Sequence, residues 1–321
     1  MISIIIPVYN AENTIKKCVQ SVFNQSVTNY EIVIVDDGSI DNSIQELKKI
    51  EEEHSCVKVF SQQNSGVTAA RKKGFLESVG EYIMFLDADD NLKTNCLEIL
   101  LNNFTNEIDV VNAGLIGVPN KKIWEHKDIG ILNKKDYLFS LLKSNSYGYL
   151  YASLYRRSVI KEEIFNIDAS IKIGEDVLMK LYICKYINKA CNIKHIVYEY
   201  VDNEVSAMNT KIIHPDYYVR YMGVRNNIIN DIDNTMLNFA EKTFLDRVDA
   251  NKMITVFFNS LIVFDDKTYK LVKAYSAKAN HKYTKLLNSK VRTKLFKSFK
   301  TLVYKTRAVL LGKKLNYIII H

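Results

Sequence analysis

The sequence predicts an α/β fold, a mostly parallel sheet covered by helices on both faces, with a basic helical region after it. Three observations predict it. Short runs that are apolar throughout, such as "ISIII" and "EIVIVD", alternate with stretches whose apolar residues recur at helical spacing. A continuous apolar run is what a strand needs when helices bury both of its faces. Each of the first four runs also ends in a polar cluster, and in a parallel sheet the strand C-termini share the edge where ligands bind.

The elements follow in order. "ISIII" (2–6) is the first strand, and Ile15, Cys18, Val19 and Val22 keep the i, i+3, i+4, i+7 spacing of a first helix. "EIVIVD" (31–36) is the second strand, and Ile44, Leu47 and Ile50 mark one face of a second helix beginning near Asp41. Then come "VKVF" (57–60) as strand, "GVTAARKKGFLESV" (66–79) as helix, "EYIMFLD" (81–87) as strand, "LKTNCLEILLNNF" (92–104) as helix and "IDVVNA" (108–113) as a fifth strand. After about residue 115 the pattern loosens. "SYGYLYASLYRRSVI" (146–160) is tyrosine-rich and strand-like, a helix begins near Glu175, "KHIVYEYV" (194–201) reads as a strand, and from His214 the signals are helical and basic.

A chain of 321 residues holds one large domain with an appendage or two modest ones, and 47% hydrophobic residues exclude a mainly disordered protein. The five cysteines form no C-x-x-C, which excludes a zinc knuckle or a disulfide framework. "MISIIIPVYN" lacks a basic region ahead of its apolar run and meets Pro7, so it does not read as a signal peptide, and no apolar stretch approaches the roughly 20 residues of a membrane span. A cytosolic chain is expected. Its charge is segregated: residues 267–321 carry fifteen Lys and Arg and no acid, while residues 1–266 hold 29 basic against 36 acidic residues. Such a tail suits a polyanion, either an anionic membrane surface or nucleic acid. Within it, Val291, Leu295, Phe296, Phe299, Leu302, Val303, Val309 and Leu310 fall in an arc of about 140° at helical spacing, with lysines and arginines around most of the rest. That face fits the headgroup region of a membrane, the protein's own core, or a second copy of the chain in a homo-oligomer.

The cluster "FLDADDN" places Asp87, Asp89 and Asp90 at the end of a buried strand. Carboxylates so close repel unless a cation or a donor stands between them. Asp-x-Asp is either a site for a hard divalent ion such as Mg2+ or Mn2+, or an Asx-rich turn before the next helix. Asp36 and Asp37 in "IVDDGSID" are open to the same two readings, a capping turn around Gly38 or acceptors for a base or ribose. In "QQNSGVTAARKKG", Gly66 permits close backbone approach to a ligand and Arg71 lies where it can point at a phosphate or at solvent. Glu175 and Asp176 are either general bases or ordinary helix N-terminal acids.

Taken together, "SIIIPVYN", "IVDDGSIDNS", "QNSGVTAARKKG", "FLDADD" and "GEDVLM" resemble the motifs of the inverting family 2 glycosyltransferases of bacterial polysaccharide synthesis, in the same order. The resemblance is close over residues 1 to about 90 and looser to about 210. It implies a GT-A, Rossmann-like fold in a catalytic domain 1–213, with 1–115 as the nucleotide-sugar half and 116–213 as the acceptor half; the helical, basic signals of 214–321 make that a C-terminal region for membrane association or oligomerisation. Pro7, Val8, Tyr9 and Glu12 would line the nucleotide pocket, Asp36 and Asp37 would meet uracil or ribose, and Asn64, Gly66, Arg71, Asp87 and Ala88 would hold diphosphate, ribose and donor sugar. Asp89 would bind Mn2+ or Mg2+, Asp176 would be the base, with Glu175 as the other candidate, and Asp90 is assigned to the turn. "YASLYRR" stands where the family often has W-N-K-L-Y-R-R, with Tyr151, Ala152 and Ser153 replacing Trp, Asn and Lys on the acceptor side.

The implied reaction moves a sugar from a nucleotide sugar, a UDP-sugar, to a hydroxyl of a glycan or lipid-linked oligosaccharide, at the inner face of the bacterial cell membrane. Two other readings compete. A sugar-nucleotide-forming nucleotidyltransferase would share sheet and metal but carries a glycine-rich N-terminal loop that "IIIPVYNAEN" lacks. A nucleic-acid-binding protein with a basic arm would explain the tail but not the acidic clusters, so no nucleic acid is expected.

Overall fold

Strand β1 (Ile2–Val8) sits between two parallel neighbours, and its residues alternate between two apolar layers. The computed structural model describes residues 1–143, 149–168, 170–171, 173–202 and 215–233. On one face Ile2, Ile4, Ile6 and Val8 meet Ile15, Cys18, Val19 and Val22 of α1 (Ile15–Phe23), Leu47 and Ile50 of α2 (Ser43–Glu53), and Leu97 and Leu100 of α4 (Cys96–Leu101). On the other, Ile5 packs under α3 (Val67–Glu77). Both layers are dry, which is why β1 and β2 (Tyr30–Asp36) carry no polar/apolar alternation. Each fully buried Ile or Val contributes on the order of 1.5–3 kcal/mol.

The sheet runs β3-β2-β1-β4-β9-β6-β10-β5, where β3 is Val57–Ser61, β4 Tyr82–Phe85, β5 Asn91–Leu92, β6 Val110–Val118, β9 Ser153–Arg156 and β10 Lys189–Val201. Two more strands pair off this path, β7 (Ile123–Trp124) on β6 and β8 (Gly130–Asn133) on β10, and α5 (Lys134–Lys143) follows β8. The first four strands are parallel, as expected. Beyond β4 the sheet is mixed: β9 inserts antiparallel between β4 and β6, while β10 runs parallel to β6 and antiparallel to β5. The chain therefore leaves β4 at Phe85 and reappears as β5 across three strands, so that the acidic residues 87–90 travel along the sheet edge.

Several boundaries differ from the sequence reading. The fourth helix is confined to Cys96–Leu101, because Asn91 and Leu92 are taken by pairing with Glu199 and Tyr198 of β10. Of the tyrosine-rich stretch only Ser153–Arg156 is strand, and β10 begins at Lys189, five residues before the expected start, since Lys189–Asn192 pair with β8. Helix α6 (Glu175–Cys184) begins where expected, and α7 spans Pro215–Asp233. The chain divides into two compact units, and every site residue below belongs to the one comprising Met1–Thr210 and Asn227–Met236. No helix among the described residues is long and apolar enough to cross a membrane. The basic segment 267–321 and its amphipathic face lie outside the described residues.

Helix α3 approaches the sheet closely because position 74 has no side chain: a Cβ there would stand 2.5 Å from Ile5 Cγ2. Gly74→Val is expected to lower stability by about 1–3 kcal/mol through overpacking, read as a lower midpoint with an unchanged slope in urea unfolding.

Candidate active site

The four strand-end clusters are tied to one another by hydrogen bonds. Past β1, Asn10 donates its N–H to Ser39 Oγ (2.9 Å) and accepts from the Ile40 N–H (2.9 Å), while Glu12 Oε2 accepts from the Asn42 N–H (2.8 Å) and Nδ2 (2.9 Å). Past β2, the buried Asp36 accepts the Ser39 N–H at 3.2 Å, the turn that its position suggested. Asp37 reaches the third cluster: Oδ1 accepts from Gln62 Nε2 (2.8 Å) and the Ser65 N–H (2.9 Å), and Oδ2 from the Gly66 N–H (2.8 Å). Gly38 has φ +74°, and a Cβ on it would meet the Asn64 backbone nitrogen at 2.9 Å, so the two loops nest only with glycine there. Pro7 and Val8 are buried in β1, and Tyr9, Asn64 and Gly66 are exposed around this cradle.

The fourth cluster meets the base candidates through one guanidinium. Arg71, only 2% exposed, donates Nη2 to Asp87 Oδ1 (2.8 Å) and Nη1 to Glu175 Oε1 (3.3 Å). Burial opposes its charge, yet Asp87, Glu175 and Asp176 together raise its pKa. Its Nε is buried with no hydrogen-bond partner among the described residues. Asp176, beside Glu175 at the start of α6, has its carboxyl pushed up to about 7 by burial and by Glu175, with Arg71 opposing. Asp89 is pushed up to about 6 by burial and by Asp87. The structure thus brings Arg71, Asp87, Glu175 and Asp176 into one cluster, next to Ala88 and Asp89.

Asp90 does more than close a turn. Its N–H does donate to the Asp87 carbonyl (3.1 Å), but its carboxylate accepts the Tyr198 hydroxyl (2.7 Å) and the Val201 N–H (2.8 Å), pinning the acidic loop to β10. The Asp87 N–H in turn donates to Tyr198 Oη at 3.3 Å. Tyr198 is the end of a stacked row: its ring lies 4.9 Å from that of Tyr151, which lies 5.1 Å from that of Tyr149. Tyr149 and Tyr151 also line a cleft with Trp124, His126 and Lys180. Below them runs a buried polar chain: Lys180 Nζ donates to the Tyr149 carbonyl (2.7 Å) and Ser153 Oγ (3.0 Å), Ser153 Oγ donates to Asn112 Oδ1 (2.9 Å), and Asn112 Nδ2 to Asn192 Oδ1 (3.0 Å). Sequence reading placed Tyr151 on the acceptor side but named neither the stacked row nor Lys180. The signal available for Lys180 was its place four residues after Asp176, among Leu178, Met179 and Leu181 of a helix that is otherwise apolar there.

The donor set suits a hard cation. Asp89 is half-exposed, makes no ion pair among the described residues, and its raised pKa reports negative charge in want of a partner. Among the described residues no group of three or more His, Cys, Asp or Glu could hold a metal alone, so further ligands would come from diphosphate oxygens and water, as Mg2+-type sites usually arrange.

Residues 3–164, just over half of the chain, match the family model described as glycosyl transferase family 2. The chain belongs to glycosyl transferase family 2. This family 2 chain is 29% identical over 212 residues to the cholesterol galactosyltransferase of Borreliella burgdorferi, covering 61% of this chain and 59% of that one. It is 33% identical over 189 residues to the minor teichoic acid biosynthesis protein GgaA of Bacillus subtilis, covering 56% and 42%. The chain thus spans less than two thirds of the length of these curated relatives. In fold it is similar to S. aureus TarS 1–349 in complex with UDP-GlcNAc, at TM-score 0.67 and 20% identity, covering 99% of this chain and 94% of that one. It is also similar to the mannosyltransferase PcManGT of Pyrobaculum calidifontis in complex with GDP-Man and Mn2+, at TM-score 0.53 and 13% identity, covering 98% and 88%. The fold is GT-A, a central sheet with helices on both faces.

Arg71→Met is expected to cost about 2 kcal/mol in urea unfolding. That is less than the 3–5 kcal/mol of a fully buried broken pair, because the Asp87 side chain keeps 27% of its surface in water. Arg71→Lys, which lacks the fork needed to serve both carboxylates, should recover only part of the loss.

Proposed function

We propose that this chain is a metal-dependent inverting glycosyltransferase that moves a sugar from a UDP-sugar to a hydroxyl of a glycan or lipid-linked acceptor in cell-surface polysaccharide synthesis. The observation that carries the reading is the Arg71 bridge, which fixes the two acids opening α6 against the acidic loop past β4. Direct displacement at an anomeric carbon needs a base on the attacking hydroxyl and neutralisation of the departing diphosphate. In this reading Asp176 would supply the first and a cation held by Asp89 the second, on opposite flanks of one guanidinium.

In the proposed reaction Pro7, Val8, Tyr9, Glu12, Asp36 and Asp37 frame the nucleoside, with Asn64 and Gly66 on the loop that Asp37 holds in place. Asp87 and Ala88 face the ribose and donor sugar, and Arg71 holds Asp87 toward them. Asp89 holds a divalent cation, Mn2+ or Mg2+, which when bound offsets the charge of the diphosphate. Asp176 takes the proton of the acceptor hydroxyl while that oxygen bonds to the anomeric carbon. The bond from that carbon to the diphosphate oxygen breaks, and UDP leaves with the electron pair. Glu175 is engaged by Arg71, which leaves Asp176 as the freer base. A carboxyl held near 7 suits a base at neutral pH.

The lipid-linked acceptor and the place at the inner membrane face rest on the basic segment 267–321 and on the names of relatives that act in teichoic acid synthesis or on cholesterol. An anionic bilayer would draw such a segment by about 1 kcal/mol per basic residue near the surface.

Asp176→Asn and Asp89→Asn are each expected to lower sugar transfer by at least about a hundredfold while leaving circular dichroism unchanged, measured over a panel of UDP-sugars with Mn2+. Full activity in both contradicts the mechanism, and release of pyrophosphate in place of UDP would indicate nucleotidyl transfer. The base acts as its carboxylate and its pKa is raised, so the rate should climb with pH through about 7 and fall on the acid side.

A further inference from the structure

Lys180 is 1% exposed and lies four residues after Asp176 on α6, so the two side chains share one helix face. A methionine or leucine would fill the same space without the desolvation cost of a buried ammonium. Burial pushes the Lys180 pKa down to about 7, and the Asp176 carboxylate opposes that shift. Two of its three N–H groups have defined acceptors, the Tyr149 carbonyl at 2.7 Å and Ser153 Oγ at 3.0 Å. Both acceptors belong to the segment 149–153, which carries the stacked tyrosines. Tyr149 and Tyr151 stack toward Tyr198, whose hydroxyl is bonded to Asp90. This tyrosine wall is therefore fastened at one end to the loop of Asp87 and Asp89, and at the other to the helix of Asp176.

We propose that Lys180 is a positioning residue for sugar transfer: its ammonium locks the Tyr149–Tyr151 wall and strand β9 to the helix that carries Asp176, and presents a positive charge to that carboxylate from inside the fold. The inference rests on the reading of Asp176 as the base and names a residue that acts through it. The ammonium is not itself a proton donor or acceptor for substrate, since Lys180 is 1% exposed and its Nζ is bonded to the Tyr149 carbonyl and Ser153 Oγ. The other groups facing Asp176 are Glu175 beside it, Arg71 from α3 and Asp87 from the loop after β4. Tyr149, Tyr151 and Tyr155 face it from the β9 side, and His126 faces Lys180 from the segment after β7. Replacing Lys180 also loosens the wall and removes a charge facing His126, so Asp176→Asn is the control that assigns a moved limb to Asp176.

The test uses the full chain and follows Mn2+-dependent release of UDP from UDP-N-acetylglucosamine, UDP-glucose and UDP-galactose, with water as acceptor, from about pH 5.5 to about pH 9. Lys180→Met keeps the length of the side chain and removes its charge. Without that charge the Asp176 carboxyl holds its proton to higher pH, so the acid limb moves up. The rate near pH 6 should fall at least about threefold further than the rate near pH 8.5, with donor KM within about twofold of wild type, and Lys180→Arg should return the limb toward its original place. A Lys180→Met profile that superimposes on wild type, or that drops by one factor at every pH as a purely structural role requires, overturns the inference. If Lys180→Met does not fold, Ser153→Ala, which removes one of the ammonium's two acceptors, must move the limb in the same direction by a smaller factor, and an unmoved limb overturns the inference. Asp176→Asn separates the two claims: it should abolish the limb. An Asp176→Asn enzyme that keeps the limb, or a wild type that releases no UDP, contradicts the base assignment and removes the ground for this one.

Discussion

One guanidinium stands between two groups of acids, and the site is organised around the imbalance. Arg71 is bonded to Asp87 on one side and Glu175 on the other, with Asp89 and Asp90 following the first and Asp176 the second. One guanidinium cannot neutralise five carboxylates, and the three it does not bond to, Asp89, Asp90 and Asp176, all have raised pKa values, Asp89 to about 6 and Asp176 to about 7. Like charge concentrated at a partly buried edge is costly unless a positive partner arrives. Here that cost is consistent with a site whose complement is brought by ligand: a divalent cation at Asp89 and an acceptor proton at Asp176.

The rest of the fold serves to hold those acids where they are. The alternation of β1 between two apolar layers lets α3 lie against the sheet at Gly74, which brings Arg71 to the strand ends. The chain's jump from β4 to β5 lays residues 87–90 along the edge, and Tyr198 fastens them there through Asp90. From Tyr198 the stacked rings of Tyr151 and Tyr149 lead to Lys180 and so back to the helix of Asp176. The acidic loop, the tyrosine wall and α6 thus form a connected ring of contacts. A displacement of one would be felt by the other two.

The sequence was informative where structure is local. Strands β1, β2 and β4 could be read as continuous apolar runs because each is buried on both faces and bounded by polar turns, and the helices between them from their periodicity. The convergence of the strand-end clusters followed from parallel topology, and the hydrogen bonds between Asn10 and Ser39 and between Asp37 and Gly66 bring those clusters together. What escaped depends on long-range pairing. Strand β9 is four residues long and owes its place to β4 and β6, so nothing within "SLYR" announces it. The late start of the fourth helix follows from pairing of Asn91 and Leu92 with a strand about a hundred residues later. Asp90 looked like a turn residue because its turn bond is local, while its partners Tyr198 and Val201 are distant in sequence. Lys180 was invisible for the same reason: a lysine in a helix reads as a solvated face until the fold shows it buried.

The central claim is that the acidic edge is completed by a divalent cation together with a nucleoside diphosphate. Calorimetric titration of the full chain with UDP, in Mn2+ and again in EDTA, tests it most directly. The account predicts that UDP binds at least about tenfold more tightly with Mn2+, a difference of about 1.4 kcal/mol or more. Equal UDP affinity in Mn2+ and in EDTA would contradict it.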